Sequence, residues 1–158
     1  MNIKDDNYFS KNQENLEKLK KAISAIQIPE GYTYTVPPPS NETLKGNYLN
    51  YIPYETLISE YTLGNEFSNP QGTAQGGFTA ACFDNSFGLM SVATVRKPVA
   101  SIDMNVQYLR PVPINEAFFV VVSVISVTPS TLFLKGEAFN SKKKLLAFAI
   151  TNLAILRQ

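Results

Sequence analysis

The chain of 158 residues has no histidine, no tryptophan and a single cysteine. Without histidine there can be no Ser-His-Asp or Cys-His relay, no imidazole general base and no histidine metal ligand. One cysteine, Cys82, excludes an intramolecular disulfide, a cysteine-built zinc site and a CxxC redox pair. An excess of one charge is missing too: 14 Lys and Arg against 13 Asp and Glu leave +1, without the basic surplus of a nucleic-acid binder. No stretch of about 20 predominantly apolar residues occurs, and the polar N-terminus lacks the apolar core of a secretory signal. The expectation is a soluble, cytoplasmic protein with neither a nucleic-acid nor a membrane partner. If it is an enzyme, a carboxylate does its proton chemistry.

At 44% hydrophobic and 17% charged, the chain can bury a core, and its length suits one domain. Residues 1–28 are polar and charged, with Leu16, Leu19, Ile23 and Ile26 at helical spacing, which predicts an amphipathic helix over about 10–27. A proline-rich linker follows, ending at Pro37-Pro38-Pro39-Ser40, too stiff to join a central strand. The dense, apolar part begins at Gly46. This divides the chain into an N-terminal helix and linker, 1–45, and a globular domain, 46–158.

Within that domain residues 54–63 read as a strand, 67–72 as a turn, and 73–94 as the longest helix. The helix carries apolar residues on more than one side, so it is a buried helix. Residues 101–108 alternate: Ile102, Met104, Val106 and Tyr108 on one side, Ser101, Asp103, Asn105 and Gln107 on the other. Three further strands, 117–127, 131–140 and 144–156, are joined by turns short enough to make them antiparallel neighbours. The predicted class is α+β, an antiparallel sheet wrapped around one long central helix, with an extra helix at the N-terminus.

Between Glu66 and Arg96 the only charged side chain is Asp84. A lone carboxylate among Phe83, Phe87 and Leu89 is expensive to bury unless it is hydrogen-bonded or reaches water. It is therefore either a structural aspartate or a base or nucleophile in a cleft. Upstream, Asn69-Pro70-Gln71-Gly72 builds a turn and Gly76-Gly77 opens the helix, where backbone N–H groups lack intrahelical partners and can receive an oxyanion. Glycine also permits close helix–strand packing, so the pair alone is weak evidence. Gly76 and Asp84 are eight residues apart, about 12 Å along a helix. One helix cannot bring both to the same carbonyl carbon, so a shared substrate requires two copies related by a two-fold axis.

Three motifs then carry a family resemblance: Asn69-Pro70-x-Gly72-x-x-Gln75-Gly76-Gly77, Asp84-Asn85, and Ser101-Ile102-Asp103-Met104 leading to Tyr108-Leu109-Arg110-Pro111. Their order and spacing resemble the hotdog-fold thioesterase superfamily, and more narrowly the PaaI-like acyl-CoA thioesterases, over about residues 46–157. The resemblance implies hydrolysis of an acyl-CoA to free acid and coenzyme A, by a homodimer or dimer of dimers, without metal or redox cofactor. It assigns Asp84 as general base or nucleophile and the Gly76 amide as oxyanion donor. It gives Asn69 the role of orienting water or the carbonyl, and Ser101 that of a hydrogen bond near the carboxylate. Gln75 replaces the histidine usual before the glycine pair; a glutamine can donate and accept in a similar place. Gln75, Gly77, Phe83, Phe87 and Arg110 are the expected substrate-binding residues, the phenylalanines for the acyl group and Arg110 for phosphates. The alternative is a non-catalytic acyl-CoA-binding or regulatory hotdog protein.

Overall fold

The computed structural model describes residue 3, residues 5–31 and residues 33–156. Among these residues three α-helices and six strands follow in the order α1 (Gln13–Ser24), α2 (Pro39–Thr43), β1 (Asn47–Ile52), β2 (Thr56–Tyr61), α3 (Gly76–Val95), β3 (Val99–Tyr108), β4 (Phe118–Val127), β5 (Thr131–Asn140) and β6 (Leu145–Ile155). The strands form one sheet in the order β1-β2-β4-β5-β6-β3, every neighbouring pair antiparallel. Helix α3 packs against β2 to β6, giving the expected sheet wrapped around a single long helix.

Helix α3 is mostly apolar, and Cys82, Phe83, Phe87 and Met90 are sealed between it and the sheet. Two caps set its ends: Gln75 accepts a hydrogen bond from the Gly77 N–H, and Arg96 adopts the left-handed conformation that stops a helix. Residues 73–75, predicted as its first turn, are instead extended or capping. Phe83 and Phe87 stack with ring centroids 6.0 Å apart. They press on Gly136 of β5 so closely that a Cβ there would lie 2.8 Å from Phe83.

Helix α1 is shorter than the periodicity predicts. Asn12 caps it by accepting from the Asn15 N–H, and Ala25 closes it. Its apolar stripe, Leu16, Leu19 and Ala22, joins the same core as α3. Ahead of it, Phe9 stacks on Phe119 at 4.1 Å and Tyr8 is buried with Leu49, Ile58 and Phe139 in a second cluster. The N-terminal segment therefore shares the core of the domain. Strand β1 is absent from the sequence reading because a register shift between Tyr48 and Asn50 breaks its alternation. The strand expected over 54–63 is reduced to β2, since Tyr54 turns with a φ of 62°. Among the described residues no helix is long and apolar enough to cross a membrane.

A second irregularity corrects the predicted faces of β3. Its pairing with β6 shifts between Ser101 and Asp103, leaving Ile102 as an extra residue. Ile102 is 59% exposed rather than aligned with Met104 and Val106, which pack on the core. The shift turns Ser101 to the helix side of the strand.

Candidate active site

Two separate clefts flank α3, and they share no lining residue. The first, about 320 Å³, is lined by Asp84, Asn85, Gly88, Leu89 and Val92 of α3, by Val99 and Ser101 of β3, and by residues 34–36, 38 and 40 of the linker. The bulge brings Ser101 within reach of the helix, and its hydroxyl donates to Asp84 Oδ1 at 3.0 Å. Asp84 is exposed at the cleft mouth. The expectation of a lone carboxylate among buried rings is therefore corrected: at position 84 the helix surface emerges from the core, and solvent with one hydroxyl stabilises the charge. Beside it, Ser40 Oγ donates to Asn85 Oδ1 at 3.0 Å, tying the linker to the helix. Asn85 Nδ2 is shielded and has no partner in the described structure.

The second cleft, about 410 Å³, is lined by Asn69, Gln71, Thr73, Ala74, Gly76 and Thr79, and by residues 108–112 at the end of β3 and just beyond it. Asn69 organises its wall. Its Oδ1 accepts from the Gln71 and Thr73 N–H groups at 2.9 and 3.2 Å, and its Nδ2 donates to Thr73 Oγ1 at 2.9 Å. Gly72, with a φ of 76°, allows the chain to turn back there. The loop is then held to the body where the Ala74 N–H donates to Val112 and the Gln75 N–H to Phe67.

These bonds present the start of α3 to the cleft with one amide unspent. Gln75 Oε1 accepts from the Gly77 N–H at 2.8 Å, so the Gly77 donor is consumed by the cap. The Gly76 N–H has no hydrogen-bond partner among the described residues. The Gly76 carbonyl accepts from the Tyr108 hydroxyl at 2.7 Å. Burial raises the Tyr108 pKa above the ordinary phenol value, so the phenol stays a donor at neutral pH. Arg110 lines the same cleft and anchors its guanidinium through Nη1 to the Leu145 carbonyl at 2.7 Å.

The structure thus joins Asp84 with Ser101, and Asn69 with Gly76 and Arg110. It does not bring Asp84 and Gly76 into one cleft of a single chain. Phe83 and Phe87, expected to line the acyl pocket, are fully buried and line neither cleft; their side of α3 faces the sheet. Tyr108, Asn85 and Gly88 are cleft residues that the sequence reading did not select. For Tyr108 the signal was available, since it stands at the end of the alternating strand, two residues before Arg110. No group of three metal-binding side chains occurs among the described residues.

Comparison with known proteins agrees with this architecture. The family model described as thioesterase superfamily matches residues 71–147. Acyl-coenzyme A thioesterase 13 of Mus musculus is 30% identical over 87 residues, covering 54% of this chain and 62% of that protein. Its Homo sapiens counterpart is 30% identical over 85 residues, 53% of this chain and 61% of that one. The match spans about three fifths of the length of these curated relatives. Among solved structures, the PaaI protein of E. coli has a TM-score of 0.72 at 13% identity, covering 76% of this chain and 86% of its own. Thioesterase superfamily member 2 from Mus musculus has a TM-score of 0.69 at 21% identity, covering 90% and 98%. At such identities these likenesses establish the hotdog fold. With the family match over residues 71–147 and the curated relatives alongside that fold, this chain is similar to members of the thioesterase superfamily.

Proposed function

We propose that the protein hydrolyses an acyl-CoA thioester to free acid and coenzyme A, at a site completed between two copies of the chain. The hydrogen bond from Ser101 to Asp84 carries this reading: it holds a solvent-reached carboxylate at the mouth of a cleft whose mixed wall includes Leu89, Val92 and Val99. The acyl-CoA class is supported by the curated relatives, which are named acyl-coenzyme A thioesterases.

In this mechanism the thioester carbonyl oxygen lies against the free Gly76 N–H, where the helix dipole favours the developing negative charge. Asp84 of the other copy takes a proton from water as the water oxygen bonds to the carbonyl carbon. Collapse of the tetrahedral intermediate breaks the C–S bond, and the proton passes to the departing thiolate. Water, a carboxylate and an amide supply the chemistry, so no metal or redox cofactor is required. Asn69 holds the loop in shape and keeps one amide hydrogen for substrate, and Arg110 offers a cation to the coenzyme A phosphates.

Two observations favour a homodimer, with a dimer of dimers as its extension. The half-sites lie on one helix without a shared residue. Strand β3, which carries Ser101, is an edge strand with Ile102 and Tyr108 more than half exposed, a surface open to pairing with a second copy. Residues 46–158 form the thioesterase domain in this reading, and residues 1–45 an appended segment sharing its core.

The test is release of free thiol from a panel of acyl-CoAs, with Asp84→Asn as control. We expect turnover by the wild type and a loss of roughly 10²–10⁴ in kcat for the variant, with a smaller change in KM. Binding of acyl-CoA without thiol release would instead establish the non-catalytic binding protein. Unchanged turnover by Asp84→Asn would remove Asp84 from the mechanism.

A further inference from the structure

The wall of the Asp84 cleft is built partly by the linker, residues 34–40, which lies outside the matched family region of 71–147. This segment is tied down beside the carboxylate by the Ser40–Asn85 hydrogen bond. One helical turn beyond Asp84, α3 carries Gly88, also on the cleft wall. A glycine inside a helix is disfavoured relative to alanine. Crowding does not explain it, because a Cβ at this position would meet nothing within 4 Å. The helix therefore leaves an open slot directly behind the carboxylate.

On the far side of the linker lies an open, largely apolar groove of about 440 Å³, lined by Leu16, Leu19 and Ile23 of α1 together with Lys11 and Lys20. Val36 lines both this groove and the Asp84 cleft, so this residue stands between them. The cleft alone lies at the low end of the roughly 300–1,000 Å³ typical of ligand pockets.

We propose that the linker is an acyl-size gauge: the acyl group enters the slot at Gly88 and is stopped by Val36, which closes the way into the apolar groove beside α1. The gauge rests on the thioesterase reading for the identity of its occupant. Its consequence is a preference for short or compact acyl groups, set by one side chain of the N-terminal segment.

The experiment compares wild type, Gly88→Leu and Val36→Ala over straight-chain acyl-CoAs of increasing length. It reads kcat/KM by thiol release, and by calorimetry the binding of non-hydrolysable thioether analogues of the same lengths. For the longest chain the wild type accepts, taken relative to acetyl, Gly88→Leu should lower the ratio by about tenfold or more and Val36→Ala should raise it similarly. The two variants move in opposite directions, which a general loss of folding cannot imitate. If the wild type releases no thiol from any acyl-CoA, the thioesterase reading fails, and opposite shifts in thioether binding still establish the gauge. Equal changes at every length in both readouts would overturn it. So would a change of oligomeric state on Gly88→Leu, since that would assign the slot to a contact between subunits.

Discussion

Separating the two proposed catalytic groups by eight residues on one helix leads to a complementation test. Asp84→Asn removes the base from one half-site. Its counterpart, Gly76→Pro, removes only the oxyanion donor, since proline is well tolerated at the first position of a helix. The backbone suits it: Gln75 is extended, with ψ 134°, as a residue before proline prefers. A Cβ at position 76 would lie 3.1 Å from the far end of the Tyr108 ring, an exposed side chain able to yield by a few tenths of an ångström. Alone, Asp84→Asn should lose roughly 10²–10⁴ in kcat, and Gly76→Pro about 10²–10³. In a heterodimer of the two, one site combines both defects. The other unites an unmodified Asp84 with an unmodified Gly76, so about half of the wild-type kcat should return. Co-expression with two affinity tags isolates the heterodimer, and thiol release measures it. Activity no higher than that of either single variant would refute the composite site.

Other consequences concern the core. Gly136→Ala would drive a Cβ to within 2.8 Å of Phe83 and 2.9 Å of Phe87, and should destabilise the fold by about 1–3 kcal/mol in urea denaturation; an unchanged midpoint would contradict the packing of α3 on β5. Burial raises the Tyr48 phenol to about 12, whereas in the unfolded chain it ionises near its ordinary value of about 10. The unfolded state loses that proton first, so stability is intact below about pH 10 and falls between about pH 10 and 12, by roughly 1.4 kcal/mol per unit. Melting temperatures measured across that window check the sign. Cys82 is fully buried and its thiol is pushed up by desolvation, so the native protein should react with an aromatic disulfide reagent only after unfolding; rapid reaction in buffer would place the thiol elsewhere.

The sequence alone carried the plan of the fold because the two periodicities are strong where burial is one-sided or complete. The run from Gly76 to Val95 is apolar on several faces and long, which only a helix enclosed by a sheet satisfies. The burial of strand β5 alternates from Thr131 to Ala138, and its predicted bounds are those observed. Where a strand is interrupted by a bulge the period-two signal fails. That is why β1 was not recognised, and why Ile102 was assigned to the face that Met104 and Val106 occupy.

Composition likewise decided what chemistry is available. A chain without histidine and with a single cysteine is left with carboxylates, hydroxyls and backbone amides, and Asp84 stands out by being the only charge along its helix. Which groups meet was decided by tertiary structure. The bulge in β3 turns Ser101 towards Asp84, and the Asn69 loop with the Gln75 cap leaves the Gly76 amide as the unspent donor. The packing of α3 sends Phe83 and Phe87 into the core rather than into a cleft. The Asn69 loop and the Gln75 cap are local hydrogen bonds that compete for the same few amides, whereas the parity of β3 and the side of α3 that the sheet covers are long-range constraints that no local stretch of residues contains.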